Sequence, residues 1–174
     1  MSIMPRAADQ LLLPVNPWFL WTSLLVALVL NLLPLGPLPW MPDFLALVLV
    51  FWSVHQPRRV GITTAFVLGL LIDVHHGSLL GQHALAYSLQ SFFGIAIHRR
   101  ALWFGPSGQM PQVAPAFFLG ALVTLLVRLV AGDGLPGWSF LIAPLAETLL
   151  WPVASAVLLA PQRRPPDPDK NRPL

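Results

Sequence analysis

The sequence predicts an all-α integral membrane protein, built as a bundle of six transmembrane helices. Its 174 residues include ten basic and seven acidic residues, so 10% are charged, against roughly 25% in an ordinary soluble domain. Hydrophobic residues make up 56% of the chain and its mean hydropathy is +0.70. A soluble domain of this length could not cover so much apolar surface with polar groups.

Apolar segments alternate with clusters of proline, glycine or charge that interrupt helices. The segments predict one helix-bundle domain over residues 1–160, and residues 161–174, rich in proline and charge, predict a disordered cytoplasmic tail. In chain order the predicted spans are residues 18–33, 43–56, 60–74, 80–97, 113–131 and 138–160.

The first span begins after Asn16-Pro17, with the Asn as helix cap and the Pro in the first turn. Its long apolar run is followed by a proline-rich turn and not by a small-residue cleavage site. We therefore expect a retained span and not a cleaved signal peptide.

The second and third spans are short. Each would reach about 21 Å as a helix, less than a hydrocarbon core of about 30 Å. Local thinning of the bilayer, or helices that continue past these bounds, would allow both to cross. A re-entrant hairpin that does not cross is the alternative, and the sequence leaves both open.

Pairs of arginines predict the orientation. Six spans with the N-terminus in the cytoplasm place every pair on the cytoplasmic side and leave the opposite loops without Lys or Arg, as the positive-inside rule requires. No pair has the interleaved aromatic residues of a nucleic-acid surface, so the basic charge predicts no nucleic-acid partner. The three pairs are Arg58-Arg59, Arg99-Arg100 and Arg163-Arg164.

Small residues recur at every fourth position of the third helix. Gly61, Ala65 and Gly69 precede Asp73 at this interval, so they form a ridge on which another helix can pack closely. Asp73 is then either a structural carboxylate bonded to a neighbouring helix or loop amide, or a carboxylate that binds a ligand or a proton.

Two further charges lie inside predicted spans. Arg128 is near the outer end of the fifth helix, and Glu147 is within the sixth. Because these helices are antiparallel neighbours, the two charges come within about 9 Å in depth. They predict a buried ion pair, although Asp73 or Asp133 could also pair with Arg128, and Arg128 could instead extend to the interface.

The residue types of common active sites do not come together in the sequence. Cysteine is absent, and Asp73, His75, His76 and His83 suggest a metal site only weakly, because the adjacent His75 and His76 point in different directions. There is no His-Glu-x-x-His array, nucleophile elbow or phosphate-binding loop. We therefore expect no metal, no cofactor and no catalytic residue.

Several short motifs resemble one family in their order and spacing. Over residues from about 18 to 160, the chain resembles the rod-shape-determining protein MreD family in its Gram-negative form. The motifs are Pro42-Asp43, Pro57-Arg58-Arg59-Val60-Gly61, Gly69-Leu70-Leu71-Ile72-Asp73, Gly81-Gln82-His83-Ala84-Leu85-Ala86-Tyr87, Arg99-Arg100-Ala101-Leu102-Trp103, Pro136-Gly137-Trp138 and Leu150-Trp151-Pro152.

The resemblance implies a non-enzymatic scaffold in the bacterial inner membrane, a component of the elongation machinery. It implies direct contact with MreC, and a complex with MreB, RodA and an elongation penicillin-binding protein. It also implies a helical architecture similar to the substrate-binding S components of vitamin transporters. A small-molecule-binding transporter subunit is therefore the main alternative, favoured by the polar residues from Asp73 to His83; an intramembrane enzyme is the third.

Overall fold

The computed structural model describes residues 14–33, 41–132, 134 and 137–162. Within these residues the chain forms six α-helices and no strand, which confirms the all-α prediction. The helices are α1 (Pro17–Leu32), α2 (Phe44–His55), α3 (Ile62–His76), α4 (Gln82–Ala101), α5 (Pro106–Val130) and α6 (Ile142–Leu159), with 3₁₀ turns before and after α6 (Trp138–Leu141 and Ala160–Gln162).

Local sequence sets several helix ends as expected. Asn16 caps α1, its side chain accepting a hydrogen bond of 3.0 Å from the Trp18 amide, and Pro17 occupies the first turn. Asp43 caps α2 in the same way through the Ala46 amide. Gly77 ends α3 in the left-handed conformation, at φ 60°, which glycine adopts without steric cost.

Helix α2 forms the centre of the bundle. Nine of its twelve residues are buried, and α1, α4 and α6 pack around it. Its Phe51 and Trp52 rings meet edge to face, and Phe51 also contacts Trp151 of α6. The remaining helices follow one another, α3 against α4, α4 against α5 and α5 against α6. This order places α3 at the edge of the bundle.

Two contacts identify the ends of the bundle. At one end an Arg59 guanidinium nitrogen donates to the Val15 carbonyl oxygen over 3.2 Å, joining the start of α1 to the connection after α2. At the other end Asn31 of α1 donates to Asp43 at the start of α2. Helices α1 and α2 are therefore antiparallel. We call these ends the Arg59 end and the Asp43 end; they are the predicted cytoplasmic and outer ends.

The outer surface of the bundle is apolar. Large side chains of α1, α3, α5 and α6 point away from the core, including Trp21, Phe66, Leu122 and Leu149. Soluble monomers rarely expose contiguous apolar patches of more than a few hundred Å². This surface fits a membrane protein. By length and composition, Pro106–Val130 and Trp138–Gln162 could each cross a membrane, while α1, α2 and α3 are shorter apolar helices. Six full spans thus remain a prediction.

Several helix bounds differ from the sequence interpretation, among them the start of α5 and the ends of α3 and α4. Helix α5 begins at Pro106 and not near residue 113, because proline suits the first helical turn, where its missing N–H is not needed. Helix α3 continues through His75 and His76 to Gly77, so these histidines are helical. Helix α4 continues past residue 97 through Arg99-Arg100 to Ala101, since nothing before Leu102 breaks it.

The predicted topology arginines are only partly described. Arg58, Arg59, Arg99 and Arg100 are exposed, consistent with polar loops at one end of the bundle. Arg163-Arg164 and the predicted disordered tail beyond Gln162 lie outside the described residues, as does Asp133.

Candidate functional site

Asp73 lies at the end of α3, where it caps the beginning of α4. Helix α4 starts after Gly81, which has no side chain to cap it. Asp73 substitutes for that cap, accepting hydrogen bonds from the backbone amides of Gly81, His83 and Ala84 over 2.9, 2.8 and 3.3 Å. A negative charge beside a helix N-terminus is also favoured by the helix dipole. Only 1% of Asp73 is exposed.

Two side chains complete the shell around Asp73. Ser78 donates to Oδ1 over 3.0 Å, and the His83 ring Nδ1 lies 2.7 Å from the same oxygen. Because a carboxylate oxygen only accepts, Nδ1 carries the proton in this contact. We call Asp73, Ser78, Gly81, His83 and Ala84 the Asp73 cluster. Both carboxylate oxygens are used in joining α3 to α4.

The predicted small-residue ridge meets α4 at one residue in particular. A Cβ built on Gly69 would lie 2.4 Å from the Ala84 Cα, so only glycine fits there. Ala65 is fully buried as well. Gly61 differs: it precedes α3 as its cap, and a Cβ there would meet nothing within 4 Å. The close contact is internal to the bundle, and Gly61 is not part of it.

A second polar cluster, which sequence reasoning missed, surrounds the N-terminus of α2. Asp43 accepts hydrogen bonds from the Asn31 side-chain amide over 2.6 Å and from the Tyr87 hydroxyl. The Asn31 carbonyl oxygen in turn accepts from the Phe44 amide over 3.2 Å. Side chains from α1 and α4 therefore converge on the start of α2.

Glu147 of α6 belongs to this second cluster. Its Oε1 accepts from the Asp43 backbone amide over 3.0 Å, and only 5% of the residue is exposed. We call Asn31, Asp43, Phe44, Tyr87 and Glu147 the Asp43 cluster. Its contacts connect α1, α2, α4 and α6. The signals available in the sequence were Pro42-Asp43 at a helix start and Tyr87, the chain's single tyrosine.

The predicted ion pair between Arg128 and Glu147 does not form. Among described residues, the one acid–base contact within 4.0 Å joins His83 to Asp73. Arg128 lies in the last turn of α5, half-buried, and makes an interaction there. Depth along two antiparallel helices places their charges at similar levels but leaves open which way each side chain points around its axis. The Glu147 side chain points towards α2.

The three histidines of the suggested metal site are neighbours. The His75 and His76 ring centroids are 5.3 Å apart, and those of His76 and His83 are 5.6 Å apart. His83 Nδ1 is engaged with Asp73. In residues 14–33, 41–132, 134 and 137–162, no group of three or more His, Cys, Asp or Glu side chains is arranged to hold a metal ion.

A partly open cavity of about 180 Å³ lies beside the Asp43 cluster. Its walls come from α2, α4, α5 and α6 and from Phe140 in the turn before α6. The polar residues in these walls are Asp43, His83, Tyr87, Gln90, Thr124 and Glu147. His83 belongs to the Asp73 cluster and lies one turn before Tyr87, so α4 connects the two clusters along the cavity.

Comparison with known proteins gives a consistent result. The model of one family, described as rod shape-determining protein MreD, matches residues 14–162. A curated relative, the rod shape-determining protein MreD of Haemophilus influenzae (strain ATCC 51907 / DSM 11121 / KW20 / Rd), is 33% identical over 142 residues, covering 78% of this chain and 85% of the relative. No solved structure shows significant similarity to the chain.

Proposed function

The chain belongs to the MreD family of rod shape-determining proteins, and on that premise we propose that it is a non-enzymatic membrane scaffold of the bacterial elongation machinery. In this role it couples MreC and the MreB cytoskeleton to peptidoglycan synthesis. Family membership supports the role in rod-shape determination. The coupling to particular partners is our proposal.

The observation that carries the scaffold interpretation is how the buried carboxylates are used. Asp73 directs both oxygens to the start of α4, and Glu147 and Asp43 bond to each other and to neighbouring helices. These contacts join the helices of the bundle to one another, and at Asp73 they use both carboxylate oxygens. The surface left for other proteins is the apolar exterior of α1, α3, α5 and α6.

An apolar exterior of this kind suits contact with other transmembrane helices. Helices associate within a bilayer through close packing and a few hydrogen bonds, since lipid offers no hydrophobic driving force between them. We propose that MreC contacts this surface directly, and that MreB, RodA and an elongation penicillin-binding protein join the same complex. We place the protein in the inner membrane with six spans and both termini in the cytoplasm.

Affinity purification tests the scaffold proposal. The tagged full chain is captured from cross-linked native membranes, and co-purifying proteins are identified. Recovery of MreC and a peptidoglycan synthase is the expected result, and these should be absent when an unrelated six-span protein is captured at equal abundance. Recovery of a transporter ATPase without elongation proteins would contradict the proposal and favour the transporter alternative.

Reporter fusions test the proposed topology separately. A reporter active only outside the cytoplasm should give signal when fused after residue 134 or within residues 77–81, and none when fused after residue 164. Signal after residue 134 but none at residues 77–81 would instead support a re-entrant hairpin of α2 and α3.

One observation favours the second candidate, a small-molecule-binding subunit. The cavity beside the Asp43 cluster is lined by convergent polar groups on an otherwise apolar wall, which is the general character of ligand sites. The sequence interpretation based that alternative on the polar residues from Asp73 to His83. In the structure, Asp73 caps α4 and bonds to both the amide and the ring of His83.

A further inference from the structure

One residue in the wall of the cavity has an unpaired hydrogen-bond acceptor. Gln90 of α4 lines the cavity and is only 4% exposed. Its Oε1 is buried and has no hydrogen-bond partner. Leaving a buried polar atom unpaired costs about 1–3 kcal/mol. Its amide nitrogen packs against Gly120 of α5, so closely that a Cβ there would lie 2.0 Å from it.

Among the described lining residues of the cavity, the one basic side chain beside the carboxyl groups is the His83 imidazole. Asp43 and Glu147 are among the described lining residues, while neither Lys nor Arg is found among those described. Asp43 already accepts from Asn31, Ala46 and Tyr87, whereas the Glu147 carboxylate accepts a single bond, from the Asp43 amide to Oε1. A ligand that supplies N–H donors and a positive charge would complement both Glu147 and Gln90.

The size of the cavity limits the ligand. A dry cavity of 150 Å³ holds benzene, so about 180 Å³ admits a group of similar size, and the rest of a larger molecule would have to lie outside the open side of the cavity. Phe117, Phe140 and Tyr87 also line it, and aromatic faces attract cations. A quaternary ammonium would use those faces but could not donate to Gln90.

We propose that this cavity binds a primary ammonium group, carried either by a phospholipid head such as that of phosphatidylethanolamine or by a small free amine. The ammonium donates to the Glu147 carboxylate and, after a rotation of the Gln90 side chain that turns Oε1 into the cavity, to that oxygen as well; the aromatic rings contact its methylene groups. This site is separate from the scaffold role proposed above, because it uses the cavity beside the Asp43 cluster and not the apolar exterior of the bundle.

Binding is measured on the full chain, purified in mild detergent. Native mass spectrometry compares retention of phosphatidylethanolamine with that of phosphatidylcholine of the same acyl chains. Thermal unfolding is followed with increasing ethanolamine, against tetramethylammonium at equal ionic strength. Selective retention of phosphatidylethanolamine identifies the lipid as the source, and saturable stabilisation by ethanolamine identifies a free amine.

Two variants locate the site. Glu147→Gln removes the charge at nearly constant volume, and Gln90→Leu removes the acceptor; either should weaken ammonium binding about tenfold or more. The matched control is Gln112→Leu, because Gln112 Oε1 is also buried without a partner but Gln112 does not line the cavity. It should bind as the parent does. If Glu147→Gln does not fold, Gln90→Leu alone decides.

Equal retention of the two lipids together with no saturable effect of ethanolamine would overturn the proposal. So would selective binding that survives both cavity variants, since the ammonium would then lie elsewhere. Neither result bears on the scaffold role, which is scored by partner capture and not by ligand binding.

Discussion

The Asp73 cluster and the Asp43 cluster both cap the N-terminus of a helix, but they differ in how far apart in the sequence the bonded residues are. Among the described residues, the Asp73 carboxylate bonds to those five to eleven positions further on. Glu147 reaches the Asp43 amide across 104 positions, and Asn31 reaches Asp43 across 12. The first cluster is a local joint between consecutive helices, whereas the second unites four helices.

The two clusters also differ in how fully their carboxylates are used. Five hydrogen bonds surround Asp73, and its burial leaves no room for a ligand. Glu147 accepts one and faces a cavity. A saturated carboxylate acts as part of the fold, and a sparsely bonded one can take part in binding. Changes at the first cluster should therefore affect stability most.

The largest effect is expected at the α3–α4 contact beside Asp73. Gly69→Leu inserts a side chain where even a Cβ would lie 2.4 Å from the Ala84 backbone, so we expect a loss of about 3 kcal/mol or more in the free energy of unfolding. Thermal unfolding in detergent measures it. Gly61→Leu is the matched control, since a Cβ on Gly61 meets nothing within 4 Å. Similar losses from both variants would contradict the assigned contact.

Removal of the Asp73 carboxylate should come next. Asp73→Ala leaves the amides of Gly81, His83 and Ala84 without their acceptor, and we expect a loss of about 3 kcal/mol in the free energy of unfolding. Hydrogen exchange should show the loss concentrated in the first turn of α4. Asp73→Asn keeps one acceptor oxygen and should lose less. An equal increase in hydrogen exchange over the whole chain would instead mean that the effect of Asp73 is not confined to the connection between α3 and α4.

A smaller effect is expected from the Tyr87 hydroxyl in the Asp43 cluster. Tyr87→Phe deletes one bond to Asp43, which keeps those from Asn31 and Ala46, so we expect a loss of about 1–2 kcal/mol. The measurement is chemical or thermal unfolding at one detergent concentration. A loss as large as that of Asp73→Ala would erase the distinction between the clusters.

The smallest quantity is the coupling between Arg128 and Glu147. Because Glu147 bonds to the Asp43 amide and is not the residue that pairs with Arg128, the effects of Arg128→Leu and Glu147→Leu on unfolding should add to within about 0.5 kcal/mol. A double-mutant cycle measures this. Coupling well above that value would restore the ion pair that the sequence suggested.

The sequence predicted where the helices lie better than it predicted which side chains of different helices meet. Apolar runs and breakers located six helices, and the four-residue interval located the close contact at Gly69. The same interval wrongly included Gly61, because a periodic pattern does not show where the helix begins. The Asp43 cluster could not be predicted, since its partners lie far apart in the chain and depend on how each helix is rotated about its axis.

The central position of α2 has a consequence for the order of assembly. As a helix of twelve residues it is about 18 Å long, too short to be held across a bilayer by its own apolar length. Two of its packing partners, α4 and α6, are synthesised after it, and the acceptor for the amide of its own cap residue is Glu147. The core of the bundle can therefore close only once the last helix has left the ribosome, although its central helix is the second to emerge.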